Sequence, residues 1–186
     1  MGIATNLITA DELLLMPDCQ KHCELVKGEL RKTSPTGGER GITVAKLTIA
    51  IGHYVEENGL GEIFGAETDF KLSSDPDTVR APDVAFIRKE RIPAGDFSEK
   101  FWDIVPDLTV EVVSPCDRVY EVEEKIEDYL RAGVCVVLVV NPRRKTVSVY
   151  HSGQERTTLT EKDALELEDI LPGFRYELSM LFRKRK

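Results

Sequence analysis

The sequence has no apolar run near the roughly 20 residues that a membrane-crossing helix needs, so no contact with a membrane interior is expected. Its start, MGIATNLITADELL, lacks a basic segment followed by an apolar one. A secretory signal is therefore not expected. Asn6 stands where an N-myristoylation motif places Ser or Thr. These absences make the cytoplasm the expected address. Cysteine is scarce, with Cys19, Cys23, Cys116 and Cys135 making four. Cys19 and Cys23, with His22 between them, have no second ligand pair at zinc-site spacing, so reduced, structural thiols are expected. Cys135, inside GVCVVLVV, reads as a core residue. Positive charge is in deficit, with a formal net charge of −8. That argues against a generic nucleic-acid coat protein and leaves only local basic surfaces open. Arg183 to Lys186 reads as a solvated tail. Arg143-Arg144-Lys145, after Asn141-Pro142, reads as a hairpin turn. There are no repeats, no low-complexity linkers and no break in composition. What is there, 186 residues with 41% hydrophobic and 31% charged content, predicts a single domain able to bury a core.

Thr9 and Glu12 form a capping-box pattern that opens a short helix, closed by Pro17. CELVKGELRKT, with Lys27-Gly28 between alternating runs, predicts a β-hairpin, and Ser34 to Gly38 a loop. In GERGITVAKLTIAIGHYVEENG, Val44, Leu47, Thr48, Ile51 and Val55 recur at helical spacing, and Gly59 ends the helix. GEIFGA, TDFKLSS and PDVAFIR read as strands, with a turn at Asp75-Pro76-Asp77. DLTVEVVS is a further strand. A helix follows from about Asp117 to Arg131, with Asp117 able to cap it and Gly133 able to end it. VCVVLVV and KTVSVYH are the next strands, and short strands with a final turn near Ser179–Phe182 complete the chain. This order predicts a mixed α/β domain with a right-handed parallel crossover between residues 108 and 140.

The run LTVEVV raises a chemical question, because alternation puts Leu108, Val110 and Val112 on one face and Thr109, Glu111 and Val113 on the other. A carboxylate inside a buried strand needs a partner. Asp83, directly after Pro82 at the head of an apolar strand, brings a second carboxylate if the two strands pair. Two close carboxylates repel unless something positive lies between them. Oxygen ligands on rigid elements suit Mg²⁺ or Mn²⁺. On the following helix Val119, Val122, Ile126, Tyr129 and Leu130 form the apolar face. Lys125 lies at its edge beside Tyr129, where its ammonium can reach back to the strand. Arg118 and Arg131 read as solvent-facing. The simpler alternative is one buried Glu111–Lys125 salt bridge, with Asp83 bonded to backbone.

PDVAFI, PDLTVEVVSPCDR, EVEEKIEDYLRAGV and VLVVNPRRKTVSVY, in this order and spacing, resemble the Uma-two family within the PD-(D/E)XK superfamily of nucleases. The resemblance runs from Glu24 in CELVKGEL through SPTGGERG to Leu171-Pro172-Gly173. It implies a restriction-endonuclease-like fold, with a central mixed sheet flanked by helices, an N-terminal helix and hairpin, and a core over about 24–151. It implies Asp83 and Glu111 as metal ligands, with the backbone carbonyl of Val112. Val113 stands where the superfamily pattern places lysine, and Lys125 on the helix matches the displaced site. Glu39, in GGERG, matches an acidic residue that often joins such sites. Its plainer reading is a first-turn glutamate favoured by the helix dipole. Asp117 and Tyr129 are auxiliary candidates, while His53 shares a solvated stripe with Lys46 and Glu39.

The implied activity is Mg²⁺- or Mn²⁺-assisted hydrolysis of phosphodiester bonds in nucleic acid, DNA first, by a chain that in related nucleases often works as a homodimer. Lys125 would orient the attacking water or stabilise charge on phosphorus. Two rival readings stand beside it. One is a catalytically degenerate nuclease-fold module that binds nucleic acid or protein. The other is a structural salt bridge with function elsewhere.

Overall fold

A computed structural model describes residues 7–16, 23–32, 37–95 and 101–183. The elements in chain order are α1 (Ala10–Leu14), β1 (Cys23–Val26), β2 (Glu29–Lys32), α2 (Gly38–Asn58), β3 (Gly61–Gly65), β4 (Phe70–Ser73), β5 (Thr78–Arg80) and β6 (Val84–Arg88). Then come β7 (Leu108–Val112), α3 (Val119–Ala132), β8 (Val136–Asn141), β9 (Thr146–His151), β10 (Thr157–Thr160), β11 (Ala164–Glu166), β12 (Arg175–Glu177) and α4 (Leu178–Phe182).

The central sheet has six strands in the order β10-β9-β8-β7-β6-β3. Only β7 and β8 run parallel, joined by α3, and every other pair is antiparallel. Alternation along β7 decides which helix covers which face. Leu108, Val110 and Val112 pack with Leu47, Ile51 and Val55 of α2 and with Leu178, Leu181 and Phe182 of α4. On the opposite face Ala85, Ile87 and Val137 pack with Ile126 and Tyr129 of α3. The face that carries Glu111 therefore lies under α3. A second sheet, β2-β1-β5-β4, brings the N-terminal hairpin alongside.

The local signals work as their chemistry requires. Thr9 and Glu12 bond each other's backbone reciprocally at the start of α1. Lys27 and Gly28 both take positive φ (50° and 79°), the geometry of a two-residue hairpin turn. Gly133 ends α3 in the left-handed conformation. Pro17, Cys19, His22 and residues 34–36 of the predicted loop lie outside the described residues.

Four expectations are corrected. Arg118, not Asp117, is the N-cap of α3. The Asp117 carboxylate instead accepts the Ser114 N–H at 2.8 Å and the Ser114 hydroxyl at 2.9 Å. Cys135 is exposed, because it sits just before β8 rather than within it. The predicted final turn is the short helix α4. Lys46 is not merely solvated: its ammonium donates to the carbonyls of Met180, Leu181 and Arg183, groups left without helical partners at the end of α4.

Candidate active site

Strand pairing brings the two predicted carboxylates together. Val84 pairs with Val110 in the antiparallel β6–β7 ladder, and continuing that register puts Asp83 across from Glu111. Both residues are nearly inaccessible, at 6% and 5% exposure. Asp83 Oδ2 accepts the Val112 N–H at 2.7 Å, so the aspartate is pinned to the end of β7.

Lys125 reaches in from α3 as its helical position predicts. Its Nζ lies 3.4 Å from both carboxylate oxygens of Glu111. One turn further along, the Tyr129 hydroxyl donates to Glu111 Oε1 at 2.8 Å. Burial, with the charges of Glu111 and Glu24, pushes the tyrosine's pKa well above its ordinary value. The phenol thus stays protonated as a donor.

Four participants were not anticipated: Arg40, Glu24, Arg80 and Asp128. Arg40, in the first turn of α2, forks onto Asp83: Nη2 is 3.0 Å from Oδ1 and 3.1 Å from Oδ2, and Nε is 3.3 Å from Oδ2. Glu24 of β1 lies closer to Lys125 than Glu111 does, at 2.9 Å. Glu24 is tied in turn to Arg80 Nη1 at 2.9 Å and to the Ala81 N–H at 3.3 Å. Arg80 donates onward to Asp128 from Nη2 at 2.6 Å and from Nε at 3.2 Å. Glu24 carried a signal of the same kind as Glu111, a carboxylate inside the apolar run CELV. Arg80 gave none, because TVR is too short to read as a strand. Glu39 is exposed on the first turn of α2, next to Arg40.

Arg40, Arg80 and Lys125 hold the carboxylates of Glu24, Asp83, Glu111 and Asp128, with Arg131 3.8 Å from Asp128 and Glu124 3.9 Å from Arg80 at the margin. The weakest compensation falls on Glu111, whose partner ammonium lies 3.4 Å away. Burial raises its pKa, Lys125 opposes this, and the charges of Asp83 and Glu24 raise it further, for a net upward shift. Burial alone would also raise Glu24, but Lys125 and Arg80 outweigh it and hold that group below its ordinary value. Lys125 goes the other way. Burial disfavours its charge, yet Glu111 and Glu24 prevail and raise it.

Among the described residues no group of three or more His, Cys, Asp or Glu side chains could hold a metal ion on its own. What the site offers is two facing carboxylates, one of them bonded to the Val112 N–H. That set suits a hard cation that keeps waters or takes phosphate oxygens for its remaining positions. The weak compensation of Glu111 fits such an ion as well.

A central mixed sheet with α2 and α4 on one face and α3 on the other, entered by an N-terminal helix and hairpin, is the restriction-endonuclease-like fold. The chain belongs to the family described as "Putative restriction endonuclease" (Uma2), whose model matches residues 10–180. It is similar to a solved structure described as a putative nuclease belonging to DUF820 from Anabaena variabilis ATCC 29413. That similarity has a TM-score of 0.82 at 22% identity and covers 94% of this chain and 97% of the other. No curated protein matches the sequence. Family and fold together support a nuclease-like function. No helix among the described residues is long and apolar enough to cross a membrane.

Proposed function

We propose that the chain is a divalent-metal-dependent endonuclease that hydrolyses phosphodiester bonds of nucleic acid, with DNA the favoured substrate and Mg²⁺ or Mn²⁺ the cofactor. The observation that carries this reading is Asp83 across from Glu111 on adjacent strands, with the Lys125 ammonium 3.4 Å from the glutamate. Asp83, Glu111 and the Val112 carbonyl would hold the ion. Once bound, it would polarise a phosphoryl oxygen and make a bound water more acidic.

The chain's own residues supply the rest. Tyr129 fixes Oε1 of Glu111, and Oε2, approached by Lys125 at 3.4 Å, would be the oxygen to ligate. Glu24 and Glu111 keep Lys125 protonated, so it acts as a donor and not as a base. An ammonium in that state orients the attacking water or stabilises charge building on the phosphate. Its seat on α3 substitutes for the strand position occupied by Val113. Asp117 acts by shaping the 114–117 turn that follows β7, and Glu39 lies at the rim. The domain is read as one unit with its core over about 24–151.

A second reading has an observation in its favour. Arg40, Tyr129 and Lys125 already give every oxygen of Asp83 and Glu111 a partner without a metal. A degenerate module that binds nucleic acid without cutting it would look this way. Cleavage of DNA and RNA by the parent and by an Asp83→Ala, Glu111→Ala double variant, with Mn²⁺ present, separates the two. Cutting by the parent that disappears in the variant supports the nuclease. Equal cutting by both sinks the site, and absence of cutting with intact nucleic-acid binding favours the module.

A further inference from the structure

We propose that Arg40 is the counter-ion Asp83 keeps while no metal is bound, and that metal binding hands its guanidinium over to the substrate phosphate. The proposal rests on the metal-dependent reading above. A carboxylate oxygen accepts about two hydrogen bonds. Asp83 Oδ2 is filled by the Val112 N–H and by Arg40 Nε and Nη2, whereas Oδ1 takes Arg40 Nη2 alone. The sector left for a cation is therefore on Oδ1, directly beside the guanidinium. Two positive groups on one oxygen repel, so metal binding weakens the grip of Arg40.

A released guanidinium has somewhere to go. Arg40 is in the first turn of α2 with 17% of its side chain exposed. A Cβ at Gly37, Gly38 or Gly41 would meet nothing within 4 Å. Lys125 has no such freedom, because it is held between Glu24 and Glu111. Arg40 is thus the cation of the cluster able to change partners. Its planar fork matches two oxygens of a phosphate as it now matches two of Asp83. Before metal arrives, the same contact keeps a buried aspartate compensated.

The test uses the full chain and two arms. Mn²⁺ is titrated by calorimetry into the parent, Arg40→Gln and Arg40→Lys, with thermal melts checking the fold. Arg40→Gln is expected to bind Mn²⁺ roughly tenfold or more tightly than the parent, because a neighbouring positive charge is gone. Binding by Arg40→Gln where the parent shows none supports the proposal more strongly still. If Arg40→Gln melts below the assay temperature, Arg40→Lys, with its poorer grip on Asp83, must still bind Mn²⁺ more tightly than the parent. The second arm follows a short DNA duplex binding in Ca²⁺ across a salt series. Arg40→Gln is expected to lower the slope of log affinity against log salt by about one. Parent and variant binding Mn²⁺ equally overturns the proposal and leaves the metal site standing. No Mn²⁺ binding by any of the three removes the metal-dependent reading and the proposal with it. Tighter metal binding with an unchanged salt slope overturns the hand-over to phosphate.

Discussion

Two buried charge clusters share Lys125 and behave in opposite ways. In the first, Arg80 sits between Glu24 and Asp128 with contacts of 2.9 and 2.6 Å, and all three side chains are 5% exposed or less. Arg80 holds both carboxylates with short hydrogen bonds, and the remaining charge is met by Lys125, 2.9 Å from Glu24, and Arg131, 3.8 Å from Asp128. In the second, Glu111 has its ammonium at 3.4 Å and a second carboxylate across the ladder. Burial makes each charge costly in both places. In the first cluster Arg80, Lys125 and Arg131 answer that cost together, whereas at Glu111 Lys125 answers it only in part because Glu24 draws it away. The first cluster reads as structure and the second as a site in which Arg40 is held on Asp83 and Glu111 is the weakly compensated carboxylate.

The largest effect is expected from breaking the closed cluster. Arg80→Met leaves buried Glu24 with Lys125 alone, at 2.9 Å, and buried Asp128 with only the more distant Arg131, at 3.8 Å. We expect a loss of roughly 3–5 kcal/mol of stability, measured by urea unfolding. A loss below about 1 kcal/mol would mean that the two clusters do not differ as argued. Glu111→Gln is the complementary case. Glutamine keeps an acceptor for Tyr129 and removes the weakly compensated charge, so metal-free stability should hold or rise. Metal-dependent cleavage should fall by roughly 10²-fold or more, the scale of losing a group that stabilises the transition state. A variant that is destabilised as strongly as Arg80→Met would instead make Glu111 structural.

Unequal compensation also explains what the sequence revealed. Asp83, Glu111, Lys125 and Tyr129 were legible because each is an anomaly against a clean period: an acid in an apolar strand, a lysine at the edge of an apolar helical face. Their meeting depended only on β6–β7 pairing and the β7–α3–β8 crossover, which turn and helix signals already imply. Arg40 was hidden because a charged residue in the first turn of a helix looks solvated, and attention falls on Glu39 beside it. Arg80 was hidden because β5 is three residues long and pairs with a hairpin more than 50 positions away in sequence. Lys46 misled for the same reason, since its three carbonyl partners come from the far end of the chain. Period reports which face a residue takes, but it is silent on what a distant segment brings to that face.

Burial of Asp69 near Glu24 makes a smaller, pH-dependent effect measurable. Burial, with the charges of Glu24 and Glu67, pushes the pKa of Asp69 up from 3.8 to about 6. A raised acid binds more protons folded than unfolded between those values, so its contribution to stability falls as pH rises from about 4 to 6. Replacing it by Asn should remove that fall. The stability difference, Asp69→Asn minus parent, should grow across the window and level off above it, as followed by urea unfolding at a series of pH values. A flat difference would show that neither burial nor the neighbouring carboxylates raise the pKa of Asp69.

The finest distinction concerns Tyr129. Its hydroxyl bond to Glu111 is short and buried, but the phenol ring is also packed among Phe70, Ala85, Ile87 and Val137. Tyr129→Phe keeps the ring and deletes the bond. If Glu111 is the under-compensated acid, losing this donor removes one of its few supports. We expect a stability cost of about 1–2 kcal/mol, well below that of Arg80→Met. The cost should vanish in a Glu111→Leu background, where there is no acceptor left to strand, and a double-mutant cycle reads this directly. An equal cost in both backgrounds would assign the effect to ring packing. The electrostatic contrast between the two clusters would then rest on Lys125 alone.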